Sequence, residues 1–163
     1  MRIVVIKGYK KTGKTTTCTR LIEELVRRGY TVGSSKDIQF EGYQADQENT
    51  DSWRHAKAGA STVIVSGPKQ TAVLYQHRRE VRDLLDLFSE DIVVAEGDLG
   101  IPVANVVTGK TEEDLRRRRD DQTIAYSGVI ANEMTQFEGL PVVSAMTDIG
   151  QLADLVLGNC TEL

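Results

Sequence analysis

Eight residues near the amino end are spaced to hold a polyphosphate. Gly8-Tyr9-Lys10-Lys11-Thr12-Gly13-Lys14-Thr15 fits G-x-x-x-x-G-K-[ST], in which glycines let successive backbone N–H groups turn inward around an anion. In such a loop the Lys14 ammonium reaches the β- and γ-phosphate oxygens, and the Thr15 hydroxyl sits on a phosphate-bound Mg²⁺. The stretch from Gly8 through Thr16 is therefore the candidate nucleotide-binding segment, with Lys14 a candidate catalytic residue. Glu96 is the second candidate. It follows the apolar run Asp91-Ile92-Val93-Val94-Ala95, and an acid at the carboxyl end of a buried strand holds magnesium through water or orients an attacking water. Lys14 and Glu96 are thus the expected catalytic pair, with Thr15 and Glu96 toward the metal.

A glycine turn beside a surface lysine can match that pattern by chance, so the flanking elements decide. Arg2-Ile3-Val4-Val5-Ile6-Lys7 is a β-branched run suited to a buried strand. Leu21, Ile22 and Leu25 repeat at helical spacing, and Gly29 supplies the stop. Strand, glycine loop and helix are the arrangement that phosphate chemistry requires, because the helix amino end adds its positive dipole to the loop. Tyr30 to Ser35 reads as the next strand, completing a right-handed β-α-β unit.

The rest of the chain continues the alternation. Lys36 to Thr50 is polar and without period, a loop expected to respond to nucleotide or partner. Asp51 to Ala60 reads as a short helix capped near Thr50 or Asp51. Thr62–Ser66 and Thr71–Tyr75 flank Gly67-Pro68-Lys69-Gln70, a hairpin signal. Val81, Leu84, Leu85 and Phe88 mark one helix face, and Val103 to Val107 reads as a strand. Thr111-Glu112-Glu113-Asp114 resembles a capping box. Four consecutive arginines, Arg116 to Arg119, follow it. Successive helical residues point about 100° apart, so they cannot share one face; the run reads as a solvated surface with local acid partners, in which one arginine is left to meet a phosphate or partner. Ile124 to Ala131 reads as a strand ending at Asn132-Glu133, Pro141 to Ala145 as the last strand, and Ile149, Leu152, Ala153 and Val156 as the closing helix, with Asp148 close to its start.

These elements predict an α/β protein: a three-layer P-loop NTPase sandwich whose mostly parallel sheet is joined by an antiparallel hairpin. At 163 residues, the whole chain 1–163 is expected to be one nucleotide-binding domain. A net charge of −4 argues against general nucleic-acid binding. No apolar run approaches a membrane span, no cleavable leader precedes the first strand, and Cys18 and Cys160 show no C-x-x-C spacing. The cytoplasm is the expected compartment. The active edge should gather Gly8 to Thr16, Lys36, Asp51, Glu96 and the loop after Ala131.

A family resemblance becomes specific once these blocks are set in order. G-Y-K-x-[TS]-G-K-T-T at Gly8–Thr16, the lysine at Lys36, D-S-x-R-H-x-x-A-G-A at Asp51–Ala60 and D-x-V-x-x-E-G at Asp91–Gly97 resemble the MobB family of molybdopterin-guanine dinucleotide biosynthesis adaptor proteins. The tail, S-G-V-I-A-N, P-V-V and D-I-x-x-L-A, is similar to that family's closing strands and helix. The resemblance implies a GTP-binding homodimer with weak Mg²⁺-dependent GTPase activity, assisting a molybdenum cofactor guanylyltransferase, with molybdopterin a further candidate ligand. It implies that Asp51 joins Glu96 as a candidate for the magnesium shell and that Arg54 supports Asp51 or a phosphate. Lys36 joins the nucleotide-binding set, and His55 has a matching position as a buried structural residue or a catalytic one. Two departures stand out. Relatives carry K-H-x-H after the second strand where this chain has Lys36-Asp37-Ile38-Gln39, and E-G-F-K where it has Glu96-Gly97-Asp98-Leu99. Both make the pocket mouth more acidic. Only the asparagine of the guanine-reading N-K-x-D pattern is present, at Asn132. An ATP-dependent small-molecule kinase or ligase on the same scaffold is the competing expectation, and a nucleotide-gated scaffold without turnover the third.

Overall fold

The computed structural model describes all residues 1–163, and the chain folds as two compact units. One comprises Met1–Asp37 with Leu85–Leu163, the other Ile38–Leu84.

The first unit is built on the buried run at the amino end. β1 (Arg2–Gly8) leads through the glycine loop into α1 (Lys14–Arg27), and β2 (Val32–Lys36) follows. The second unit holds α2 (Asp51–Lys57) and the antiparallel pair β3 (Thr62–Ser66) and β4 (Thr71–Tyr75). A 3₁₀ segment, Val81–Leu87, spans the boundary where an α-helix was expected. The expected face is covered nonetheless: Leu85 is buried and Val81, Leu84 and Phe88 are half-buried, while Leu87 on the opposite side is 65% exposed. The chain continues with β5 (Ile92–Glu96), β6 (Asn105–Thr108), α3 (Glu112–Arg118) and β7 (Thr123–Ser127). A two-residue hairpin, β8 (Gln136–Phe137) and β9 (Leu140–Pro141), precedes α4 (Ile149–Asn159) and β10 (Thr161–Glu162).

The central sheet runs β2-β5-β1-β6-β7, all parallel, with β10 added antiparallel to the start of β1. Parallel strands buried on both faces read as continuous apolar runs, and Ile3, Val4, Val5 and Ile6 have no exposed surface. Alternate residues face opposite layers. Val4, Ile6, Val94, Val106 and Ala125 pack with Leu21 and Leu25 of α1 and Leu152 and Val156 of α4. On the other side Val107 and Tyr126 pack with Leu115 of α3, Ile130 and Phe137. Leu115 is the one α3 residue wholly inside. Its burial contributes about 2 kcal/mol and, with the Thr111–Asp114 capping box, fixes the whole helix.

Several strand boundaries differ from expectation, each for a local reason. β7 stops at Ser127 rather than running to Ala131. Gly128 turns to φ +92°, and the next amides bond to loops instead of the ladder: Val129 to the Thr12 carbonyl and Ile130 to the Gly109 carbonyl. The apolar residues after it form a 3₁₀ turn, Val129–Asn132. The expected strand Pro141–Ala145 is reduced to one bridge, Tyr126 to Val142. Pro141 has no N–H and pairs with Gln136, while the Val143 carbonyl accepts the Ser127 hydroxyl. β6 starts two residues late because Ala104 N–H goes to Thr161 Oγ1.

Candidate functional site

Strand register assembles the site at the carboxyl ends of five neighbouring strands. Lys36 lies opposite Glu96 on β2 and β5, Ile6 opposite Glu96 on β1, and Gly8 opposite Thr108 on β6. Thr108 in turn lies opposite Ser127 on β7. One sheet edge therefore presents the glycine loop, a lysine, a glutamate and two hydroxyl residues together.

The loop is held by its neighbours on the β6–β7 side. A Cβ on Gly8 would sit 2.3 Å from Thr108 Oγ1, and one on Gly128 would sit 2.2 Å from the Thr12 carbonyl. Both positions exclude any side chain, and both have positive φ. Thr12 Oγ1 donates to the Tyr9 carbonyl at 2.9 Å, Thr108 Oγ1 donates to the Lys7 carbonyl at 3.0 Å, and the two hydroxyls meet at 2.8 Å. Two protons serve three short contacts, so the pair shares its bonding. Val129 N–H donates to the Thr12 carbonyl at 3.2 Å. Gly13 is the amino cap of α1 and no side chain caps it, which leaves the helix start to an anion.

The charged groups converge on the same edge. Lys14 Nζ donates to the Tyr9 carbonyl at 2.5 Å. Burial holds the Lys14 ammonium below the ordinary lysine range, an effect Glu96 opposes and the charges of Lys36 and Arg118 reinforce. Thr15 Oγ1 donates to both Glu96 carboxylate oxygens, at 2.9 and 3.0 Å. Lys36 Nζ donates to the same two oxygens at 3.1 Å each and to Thr15 Oγ1 at 3.3 Å. A hydroxyl and a carboxylate oxygen so placed are the hard donors that Mg²⁺ takes when it shares its shell with phosphate and water, so Thr15 and Glu96 fit that ion. Cys18, one turn further along α1, is not part of this chemistry: burial pushes its thiol up to about 12.

Of the residues expected from sequence, Gly8 to Thr16, Lys36 and Glu96 come together. Lys10 and Lys11 are exposed on the loop, and Lys11 takes φ +62°. Asp51 and Arg54 lie in the second unit on α2, paired with each other at 3.5 Å and both largely exposed. His55 on the same helix is exposed rather than buried. That unit has its own open cavity of about 1140 Å³, with Phe40, Tyr43, Trp53 and Tyr75 among its walls. Sequence reasoning missed Thr108 and Gly128 at this sheet edge and could not choose Arg118 from the arginine run. The doublets Thr108-Gly109 and Ser127-Gly128, a hydroxyl and a glycine at each strand end, were the available signal. Arg118 shows itself only in space, its guanidinium 4.4 Å from the centre of the Tyr9 ring.

With this geometry in view, the comparison with known proteins is direct. The model of the family described as MobB, molybdopterin guanine dinucleotide synthesis protein B, matches residues 3–127. The chain belongs to the MobB family. It is 32% identical over 114 residues to the molybdopterin-guanine dinucleotide biosynthesis adapter protein of Haemophilus influenzae, a match covering 66% of this chain and 62% of that protein. A probable adapter of the same description from Bacillus subtilis is 29% identical over 147 residues, 88% of this chain and 85% of that one. The crystal structure of Bacillus subtilis MobB superposes with a TM-score of 0.81 at 27% identity, covering 100% of both chains. The MobB homologue from Bacillus stearothermophilus, at 22% identity over 96% of this chain and 98% of that one, has a TM-score of 0.72 and shares the fold. This MobB chain thus carries the family's three-layer α/β architecture with an antiparallel hairpin. No helix in it is long and apolar enough to cross a membrane.

Proposed function

We propose that this MobB chain is a GTP-binding accessory protein of molybdopterin guanine dinucleotide biosynthesis, with weak Mg²⁺-dependent GTPase activity. The single observation that carries the reading is the convergence of Lys14, Thr15, Lys36 and Glu96 on one glycine loop at the head of α1. Loop amides and the helix dipole receive the phosphates, and Lys14 and Lys36 offset their charge. Thr15 and Glu96 hold the magnesium, which supplies charge neutralisation when bound.

The pathway comes from the family and from the adapter description of its relatives. A molybdenum cofactor guanylyltransferase is the expected partner, molybdopterin a further candidate ligand, a homodimer the working form and the cytoplasm the compartment. Asp51 and Arg54 remain proposals for the magnesium shell and a phosphate contact. The test is a calorimetric titration of the protein with GTP and with ATP, each with Mg²⁺, followed by competition between them. Micromolar GTP binding that ATP does not displace supports the reading. Tight ATP binding indifferent to GTP, with turnover stimulated by a small acceptor, would replace it with a kinase or ligase, a reading to which the incomplete N-K-x-D at Asn132 lends some weight.

A further inference from the structure

We propose that Arg118 is a second anion-binding residue of the phosphate edge, which engages the terminal phosphoryl group of a bound triphosphate and so discriminates it from a diphosphate. The proposal rests on the nucleotide reading above and adds a residue to it.

The arginine run divides by its carboxylate partners, although Arg117 and Arg118 both meet Tyr9. Arg116 pairs with Glu112 at 3.0 Å and with Glu138 at 2.8 Å, Arg117 with Glu113 at 2.6 Å, and Arg119 with Glu138. Arg118 joins no carboxylate. Its partner is the ring of Tyr9, the second residue of the phosphate loop. A ring contact draws on the cation's charge and uses none of the five guanidinium N–H donors. Those donors are a fork suited to two phosphate oxygens at once.

Tyr9 ties this cation to the loop's chemistry. Its ring lies under Arg118 while its carbonyl accepts Lys14 Nζ and Thr12 Oγ1. The Arg118 charge is felt at Lys14, where it disfavours the ammonium alongside burial and Lys36. The cations felt at Lys14 are thus Lys36 and Arg118, and the carboxylate felt there is Glu96. That excess suits the most highly charged part of a nucleotide. Arg118 is the last residue of α3, a helix anchored by buried Leu115 and by the capping box at its start. A guanidinium supplied by the same chain at a phosphoryl group is an established way to stabilise transferring charge.

The experiment is calorimetry of wild type, Arg118→Ala and Arg118→Lys with Mg-GTP and Mg-GDP, repeated with inorganic tripolyphosphate and pyrophosphate as base-free probes. Arg118→Ala is expected to weaken GTP and tripolyphosphate about tenfold or more, to leave GDP and pyrophosphate within about twofold, and to melt with wild type. Arg118→Lys restores the charge without the fork, so it should recover only part of the difference. Equal binding of the triphosphates by wild type and Arg118→Ala would overturn the proposal, as would an equal loss on both phosphate lengths. A wild type that binds tripolyphosphate but not GTP refutes the choice of base and leaves the Arg118 comparison decisive. A wild type that binds neither removes the phosphate site itself, and Arg118 with it.

Discussion

The hydroxyl of Thr108 offers the sharpest test of how the glycine loop keeps its shape. Thr108 has no exposed surface, and its Oγ1 lies 2.8 Å from Thr12 Oγ1 and 3.0 Å from the Lys7 carbonyl. Thr108→Val keeps the shape and removes the oxygen. Thr12 can then give its proton wholly to the Tyr9 carbonyl, so the loss is the bond to Lys7 and the acceptor at Thr12, not three bonds. At about 0.5–1.5 kcal/mol for each hydrogen bond, the expected destabilisation is about 1–2 kcal/mol. For a chain of this size that corresponds to a melting temperature lower by roughly 2–8 °C. Thr108→Ser retains the hydroxyl and should recover most of the hydrogen-bonding loss. A double cycle with Thr12→Val isolates the contact between the two hydroxyls, because the pair energy appears as non-additivity. Thermal melts and urea midpoints of the five proteins provide the measurement. If Thr108→Val melts with wild type, or Thr108→Ser falls as far as Thr108→Val, the hydroxyl pair is not what braces the loop.

Three further outcomes follow from the same geometry. Lys14→Ala should abolish measurable triphosphate binding in calorimetry while its circular dichroism matches wild type, because Lys14 bonds to a loop carbonyl and packs against no core cluster; retained affinity would remove Lys14 from the site. Glu96→Gln should slow GTP hydrolysis by a larger factor than it weakens GTP binding, and equal losses in both would assign Glu96 to the support of Lys36 and Thr15 instead. Glu24, hydrogen-bonded by Arg27 and then Arg28, is held down to about 2. A depressed carboxylate stabilises the fold fully above its ordinary value near 4.5 and loses that contribution as pH falls towards 2. Urea midpoints should therefore decline through that window in wild type and change less in Glu24→Gln; parallel curves would show that the arginine clip contributes nothing.

What the sequence made legible was what neighbouring residues encode. Strand, loop and α1 follow from a β-branched run, a glycine pattern and a 3.6-residue period within 27 residues of each other, and Glu96 stands out because an acid ends an apolar strand. Thr108 and Gly128 depend on register across β1, β6 and β7, which no local period records. The apolar residues Val129-Ile130-Ala131 read as strand, but the positive φ of Gly128 and the pull of the Thr12 and Gly109 carbonyls turn them into a 3₁₀ segment. The arginine run was ambiguous for another reason. Four identical side chains differ only in what lies opposite them, and Glu112, Glu113 and Glu138 claim three of the four.

One peptide hydrogen bond, from Val129 to Thr12, joins the cradle to the turn that follows β7. If filling the cradle steadies that turn, thermodynamic reciprocity requires that a contact steadying the turn raise the cradle's grip by the same factor. The surface around Val129, 43% exposed, lies a single amide plane from the cradle. An outside molecule touching it would be reading, or rewriting, whether the cradle is full.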